Sequence, residues 1–305
     1  MELGVRYAMV GVEDSLNGRI NMAAWRSKQA GVDVTRLMGR CVVNPAGIGE
    51  PDWGNLVAGE ICDDGFPFNR ETVVWSANEE IPLEDPRVVE IDGVLVCGLT
   101  ALVRSAGEKS FGAYPAMARL EEDGDRITIC DLQVFEGLGR GKNTTPVGGD
   151  LFMYRRNEDA HALTMVRHQG GLAQVEGEVP FVAIPAWGEH RMGTGMPPIW
   201  SEDGSWATMV VHGMTYDPGR CYYTYSIGRG FLERNGAGWQ VRVCPDALFR
   251  GEDFKGWDQL HPELRLAIYN TGGVVMGSIL RLFLNVGDRC TIVRDAPLEE
   301  MWKKW

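Results

Sequence analysis

Long apolar runs are missing from this 305-residue chain. Its most apolar stretch, Val274 to Val286, is broken by Ser278 and Arg281 and is too short to span a bilayer as a helix. The opening Met1-Glu2-Leu3-Gly4-Val5-Arg6-Tyr7 has neither a basic n-region nor an apolar h-region, so it does not read as a secretory signal. Paired cysteines are missing as well. The seven cysteines (41, 62, 97, 130, 221, 244 and 290) form no CxxC pair, and an odd set without framework spacing fits reduced thiols and a cytoplasmic location. The five histidines never fall near two cysteines at ligand spacing, so no metal is expected. Basic residues are in deficit: 30 Lys+Arg against 42 Asp+Glu gives a formal charge of −12. That excludes nucleic acid and anionic membrane as main partners, because both need a basic face. A small anion in a locally basic pocket stays allowed.

Helical periodicity is equally scarce, confined to Trp257–Tyr269, where Pro262 limits it, and to the tail Pro297–Trp305. That tail is amphiphilic and can dock on its own chain or on a second copy, which leaves a homo-oligomer open. What the chain has in plenty is glycine, 39 residues, placed where hairpins need it. Asp64-Gly65, Asp92-Gly93, Asp123-Gly124, Gly148-Gly149, Asp203-Gly204 and Asn235-Gly236 all sit between strand-like segments. Such pairs supply the positive φ angles of two-residue hairpin turns. The turns recur roughly every thirty residues, with one hairpin missing from the gap between Gly149 and Asp203. Strands are read at Val94–Thr100, Arg126–Leu132, Leu151–Arg155, Trp206–His212, Cys221–Ile227 and Ile279–Val286. The fold class is therefore all-β. A single domain over 1–305, built as a five-bladed β-propeller of about sixty residues per blade, accommodates so many hairpins.

Familiar catalytic motifs fail on inspection. Gly137-Leu138-Gly139-Arg140-Gly141-Lys142-Asn143-Thr144 lacks the spacing of a phosphate loop, and Asn143 stands where it needs a hydroxyl. Thr224-Tyr225-Ser226-Ile227-Gly228 lacks the first glycine of a nucleophile elbow, and no HExxH occurs.

Four segments concentrate chemistry instead. They are Ile81–Val89 with its Glu84-Asp85-Pro86-Arg87 core and the Ile91-Asp92-Gly93 turn; Gly141-Lys142-Asn143-Thr144 leading to Leu151–Arg156; Arg191–Ile199 running through to Val211-His212-Gly213 and Tyr222-Tyr223; and Tyr269–Gly273 leading to Gly287-Asp288. On residues alone, Asp85 is either an acid or a turn residue paired with Arg87, and His212 either a ligand or a satisfied core histidine. Asn44 and Asp288 read equally as turn caps.

In this order the segments resemble glycoside hydrolase family 130, the inverting mannoside phosphorylases and their hydrolase relatives. That family carries an EDPR-type motif with an IDG hairpin, a K-N/D segment, a basic G-x-G-x-P-P-I segment, a Y-H-G strand end and a terminal G-x-x-D. Cys62–Phe68 is similar to its S-D-D-G-x-x-F hairpin. The matches span about residues 40 to 290. The resemblance implies a five-bladed propeller with its active site in the axial channel. It assigns Asp85 as the single catalytic acid, protonating the glycosidic oxygen through the 3-hydroxyl of the mannosyl residue. It places Lys142, Asn143, Arg155 (with Arg156 one residue away), Arg191, His212 and Tyr223 at phosphate, and Asn44, Arg87 and Asp288 at the sugar. Tyr222 and Tyr223 point to opposite faces, so only one of them faces the channel.

Phosphate arrives already nucleophilic and needs only cationic and hydroxyl donors to hold it. A hydrolase needs a second carboxylate to activate water, for which Glu189 and Asp217 are the candidates. The expected activity is inverting phosphorolysis of a β-mannoside, or its reverse from mannose 1-phosphate, with inorganic phosphate as co-substrate and no cofactor. The expected partner is a mannose-containing oligosaccharide. An inverting β-mannosidase and a non-catalytic glycan- or protein-binding propeller are the alternatives. The region Met1–Gly39 does not align, and Trp53-Gly54-Asn55 lacks the serine expected to help bind phosphate. Both features imply a divergent subgroup.

Overall fold

The computed structural model describes residues 9–10, 19–29, 31–44, 53–61, 69–76, 81–104, 110–219, 222–251, 267–287 and 290–303. Strands dominate. β1 (Met9–Val10), β2 (Arg19–Gln29), β3 (Val32–Asn44), β4 (Trp53–Ile61) and β5 (Asn69–Trp75) come first, then β6 (Leu83–Ile91), β7 (Val94–Val103), β8 (Gly112–Asp123) and β9 (Arg126–Val134). β10 (Gly141–Gly148), β11 (Leu151–Arg156), β12 (Ala162–Gln169) and β13 (Leu172–Val182) follow. The chain continues through β14 (Arg191–Thr194), β15 (Ile199–Trp200), β16 (Trp206–Asp217), β17 (Tyr222–Asn235) and β18 (Gly238–Arg250). It ends with β19 (Ile268–Met276), β20 (Ile279–Val286), β21 (Cys290–Pro297) and one short helix, α1 (Leu298–Trp302).

Consecutive strands pair antiparallel, as short hairpin turns require. β2–β5 and β6–β9 are four-stranded meanders. β10–β13 and the group β14, β16, β17, β18 are two more, joined into one larger sheet where β13 meets β18 in parallel at Phe181↔Val241 and Val182↔Arg242. The last sheet draws on both ends of the chain, in the order β1-β21-β20-β19, so the N-terminal strand completes a sheet begun by the C-terminal ones. Turn chemistry explains the hairpins. Asp92 (φ 51°) and Gly93 (φ 79°) close β6–β7, and Gly170 (φ 59°) with Gly171 (φ 80°) closes β12–β13, the hairpin missing from the dipeptide series. At Asp123 the turn sits one residue later than expected: Asp123 pairs with Arg126, and Gly124-Asp125 makes the loop.

Apolar clusters fill the space between successive sheets. Met38, Leu56, Leu99 and Leu120 join β2–β5 to β6–β9; Met117, Phe135, Phe152 and Val166 join β6–β9 to β10–β13. Met153, Met165, Met209 and Val241 fill the next interface, and Val210, Ile227, Leu282 and Ile292 the one after. Leu37, Val274, Phe283 and Val293 then seat the last sheet on the first, so the packing order closes on itself. Two close approaches need glycine. A methyl on Gly98 would overlap the Thr144 carbonyl, and one on Gly272 the Met22 carbonyl.

The tail docks on its own chain. Met301 is fully buried, its carbonyl accepts the Thr208 hydroxyl at 2.9 Å, and Trp302 packs edge-on against Trp206. The helical reading of Trp257–Tyr269 lies mostly outside the described residues; where the chain resumes, Ile268 and Tyr269 belong to β19. No helix among the described residues is long and apolar enough to cross a membrane.

Candidate active site

The strands that begin each meander meet one another: β2 contacts β6 and β19, and β10 contacts β6 and β14. Four of them break register near their start, β2 between Ile20 and Ala23, β6 between Glu84 and Arg87, β10 between Lys142 and Thr145, and β19 between Asn270 and Gly272. A bulge inserts an extra residue, bends the strand and re-aims its side chains. In three of these bulges a left-handed residue sits next: Asn21 (φ 53°), Asp85 (φ 52°) and Asn143 (φ 62°). Asn and Asp enter that region at less cost than other non-glycine residues, which is why these types stand there.

Asp85 and Asn21 thereby touch. Asn21 Nδ2 donates to Asp85 Oδ1 at 2.6 Å, and Arg40 Nη1 stands 3.8 Å from the same oxygen. The Asp85 side chain keeps 16% of its surface accessible. Its neighbour Glu84 is spoken for, with Arg40 Nη2 at 2.8 Å and Lys142 Nζ at 3.4 Å. Burial alone would raise the Glu84 carboxyl, but the Arg40 and Lys142 charges outweigh it and hold it below the usual carboxylate range. Glu84 in turn raises Lys142, against burial.

Arg87 is 2% exposed and uses its whole guanidinium on the protein. Nε donates to the Gly195 carbonyl (2.8 Å), Nη1 to the Asp85 carbonyl (2.9 Å), and Nη2 to Asn143 Oδ1 and the Thr194 carbonyl (both 3.2 Å). Burial pushes it down to about 10. It ties the Asp85 backbone to β10 and β14.

Beyond Arg87 lies a cationic cluster. Arg155, 8% exposed, is pushed down to about 10 by burial and by the charge of Arg191. Its Nη1 reaches the Met192 carbonyl at 3.4 Å. Arg156 instead turns to the Tyr154 hydroxyl (Nε, 3.3 Å), so Arg155 is the inward residue of the pair. His212 is 4% exposed, and burial, then Arg155 and Arg87, hold it well below the usual imidazole range, hence neutral. Asn143 and His212 flank Gly193, where a methyl group would overlap both side chains. Arg191 Nη2 donates to the Asn157 carbonyl at 3.2 Å. Four buried polar atoms here have no hydrogen-bond partner: Asn143 Nδ2, Arg155 Nε, Arg191 Nε and His212 Nδ1. Counting Arg40, Arg87, Lys142, Arg155 and Arg191 against Glu84 and Asp85, five cations face two carboxylates.

The fold thus brings Asp85, Arg87, Lys142, Asn143, Arg155, Arg191 and His212 together. Tyr223 stands apart at the rim, 40% exposed, against His190 and Tyr216. Asp288 lies outside the described residues, as do the Asn44 side chain and Cys62–Phe68. Of the two candidate water-activating carboxylates, Glu189 is exposed and the Asp217 side chain lies outside the described residues.

The site also holds Asn21, Arg40 and Tyr225, which no motif resemblance singled out, and Glu84 and Tyr269, which lie in the quoted segments but were given no role. Arg40 is placed by register: it opposes Ile20 at the β2 bulge just as Arg155 opposes Lys142 at the β10 bulge. Trp75, Trp187 and Trp200 are structural, donating to the carbonyls of Ile81, Pro245 and Val147. Among the described residues no group of three or more His, Cys, Asp or Glu gathers to hold a metal.

No family model matches the chain, and no curated protein is similar to it at a significant level. Solved structures are similar over nearly its whole length, among them glycoside hydrolases and mannoside phosphorylases. One is described as part of the GH130 family of mannoside phosphorylases containing hydrolases of β-1,2-mannosidic linkages in Candida mannan (TM-score 0.65, 13% identity, 93% of this chain and 85% of that one). Another is the β-1,2-mannobiose phosphorylase of Listeria innocua in complex with β-1,2-mannobiose (TM-score 0.57, 11% identity, 96% and 93%). A third is a mannose phosphorylase of Leishmania mexicana in complex with phosphate ion (TM-score 0.56, 13% identity, 97% and 90%). The chain shares the fold of these GH130 and mannose phosphorylase structures at 11–13% identity.

Proposed function

We propose that the chain is an inverting phosphorylase of β-mannosides, folded as a single five-bladed propeller over residues 1–305 with its site in the axial channel. Asp85 donates a proton to the glycosidic oxygen. Phosphate, held by Arg155, Arg191, Asn143 and His212, attacks the anomeric carbon from the opposite face as the C–O bond breaks. The products are α-mannose 1-phosphate and the released sugar. Lys142, Arg40 and Asn21 position the two carboxyls, and Arg87 sets the acid against the phosphate-binding side. Asp288 and Asn44 belong to the sugar side of this reading. Inorganic phosphate is the co-substrate, and no cofactor is called for. The free thiols among the described residues suit a cytoplasmic location.

The observation that carries this reading is the set of four partnerless buried polar atoms in a cluster where cations outnumber carboxylates. Buried polar groups are normally satisfied, and cationic ones most of all. An oxyanion with several acceptor oxygens supplies what Arg155, Arg191 and Asn143 lack. Hydrolysis is the weaker reading, because Glu84, the carboxylate beside Asp85, is already clamped by Arg40 and Lys142.

The test is a β-mannooligosaccharide incubated with and without phosphate. Turnover should require phosphate and yield mannose 1-phosphate. Equal turnover without phosphate would make the chain a hydrolase. Asp85→Asn keeps a residue suited to the left-handed backbone and should lower kcat by about 100-fold or more. Full activity in that variant would remove Asp85 as the acid.

A further inference from the structure

Glu84 is a buried carboxylate that the proposed reaction does not use. Adjacent residues of a regular strand point to opposite faces, yet Glu84 and Asp85 share one partner. The β6 bulge, with Asp85 left-handed in it, brings both carboxyls to Arg40. Arg40 Nη2 stands 2.8 Å from Glu84 Oε1, whereas Nη1 stands 3.8 Å from Asp85 Oδ1. Lys142 Nζ lies 3.4 Å from Glu84 Oε2. Glu84 therefore takes the closer contact of Arg40 and the ion pair of Lys142. It is ionised: Arg40 and Lys142 outweigh the burial that opposes its charge. Lys142 is held charged in return, by Glu84 first and by Asp85 to a smaller extent.

Few other charges bear on Asp85. Arg87, on the same strand, donates to the Asp85 backbone carbonyl. From β2 comes the neutral Asn21, while Arg19 of that strand is bound to Glu71. β7 and β19 carry no Asp, Glu, Lys or Arg. Of their titratable groups, burial pushes the Cys97 thiol up to about 12, and Tyr269 packs against His212 and Tyr225. Glu60 of β4 is paired with Arg36 and Arg70.

We infer that Glu84 is a positioning residue that keeps the charges of Arg40 and Lys142 off Asp85, so that Asp85 holds its proton for the glycosidic oxygen. The inference rests on the reaction proposed above and adds how its acid is held ready. A general acid works only while protonated, and a facing cation favours the ionised form. With Glu84 neutral, two uncompensated cations would face Asp85, and the Arg40 fork would be free to close on it.

The test follows the Asp85 carboxyl by carbon-13 NMR in the full chain, its resonance assigned by its loss in Asp85→Asn. In Glu84→Gln, which keeps the shape and removes the charge, the titration midpoint should fall by about one pH unit or more. In Lys142→Met, which removes a cation instead, it should rise. The alkaline limb of the phosphorolysis rate should move with the midpoint in each variant, whereas a side chain that only props the fold would lower the rate and shift nothing. A midpoint unmoved in both variants, or moved with the same sign in both, overturns the inference alone. Should Glu84→Gln not fold, a midpoint that fails to rise in Lys142→Met overturns it. Midpoints that move while the rate profile stays fixed, or an unsubstituted chain without turnover, overturn the reaction it rests on as well.

Discussion

Replacing Arg87 with methionine tests whether the buried guanidinium is a strut. Met has similar reach but no donors, so four acceptors lose their partner: the carbonyls of Asp85, Thr194 and Gly195, and Asn143 Oδ1. Each hydrogen bond from a charged donor contributes about 1.5–3 kcal/mol, roughly 6–12 kcal/mol for the set. Against that stands the cost of keeping the charge buried. Burial pushes Arg87 down to about 10, which corresponds to about 3 kcal/mol. The lower end of the difference, about 3–5 kcal/mol, matches what removing one member of a buried ionic set usually costs. At about 3 kcal/mol per molar of urea, the midpoint should fall by at least roughly 1 M. Arg87→Lys keeps a charge but loses the fork, so it should fall between the two. Urea unfolding followed by tryptophan fluorescence reads all three chains. A loss below about 1 kcal/mol for Arg87→Met would refute the strut, because the three carbonyls would then have other donors. In the proposed reaction the same variant should lower kcat more than it raises KM, since the acid and the phosphate side lose their common tie.

His212 gives a pH dependence of definite sign. Its folded pKa is held well below 6.5 by burial and by Arg155 and Arg87, so below pH 6.5 the unfolded chain takes up a proton that the folded chain refuses. Stability from this group is therefore full at pH 7.5 and about 1.4 kcal/mol lower at pH 5.5; His212→Gln should flatten the slope by that amount, and an unchanged slope would contradict it. Gly98→Ala forces a methyl onto the Thr144 carbonyl and should cost about 1–3 kcal/mol of unfolding free energy, measured by the same urea titration. Phosphate affinity should strengthen as inert salt rises from about 0.01 M to 0.15 M. The Debye length shrinks from about 30 Å to 8 Å over that interval, which screens the distant acidic surface before the local cluster. A steady loss of affinity would mean that the cluster governs at every distance.

The strands were legible because period-two patterns and Gly-based turns act locally. Val94, Arg126, Leu151, Trp206 and Ile279 begin strands where the residues said they would. The Gly170-Gly171 turn carries the same Gly-Gly signal as Gly148-Gly149 and was legible in principle, but the series passed over it. Other features were hidden for physical reasons. Asn21 lies in the region without motif resemblance and Arg40 at its edge, and what places them is a bulge and a cross-strand register. Register depends on the partner strand and leaves no trace in either strand alone. The choice between Arg155 and Arg156 turned on the same quantity, settled only when β10 and β11 were paired.

One construction accounts for both Asp85 and its surroundings. Asn21, Asp85 and Asn143 occupy the same bulge position in three successive leading strands, and each turns left-handed there. Residues facing those bulges on the second strands, Arg40 and Arg155, bring two of the five cations; His212, opposite Gly193, brings a neutral imidazole. A repeated backbone irregularity thus makes equivalent slots, and the residue in each slot decides its chemistry. The second slot carries the carboxylate of Asp85; the amide of the first, Asn21, donates to that carboxylate, and the amide of the third, Asn143, accepts from Arg87, so neither adds charge. This separates the site from the acidity of the rest of the chain. The whole chain carries a formal charge of −12, whereas the site built around the slots collects five cations and two carboxylates. Because the slots are defined by backbone geometry, they depend on the fold rather than on the rest of the sequence, and the fold is shared with solved structures at only 11–15% identity.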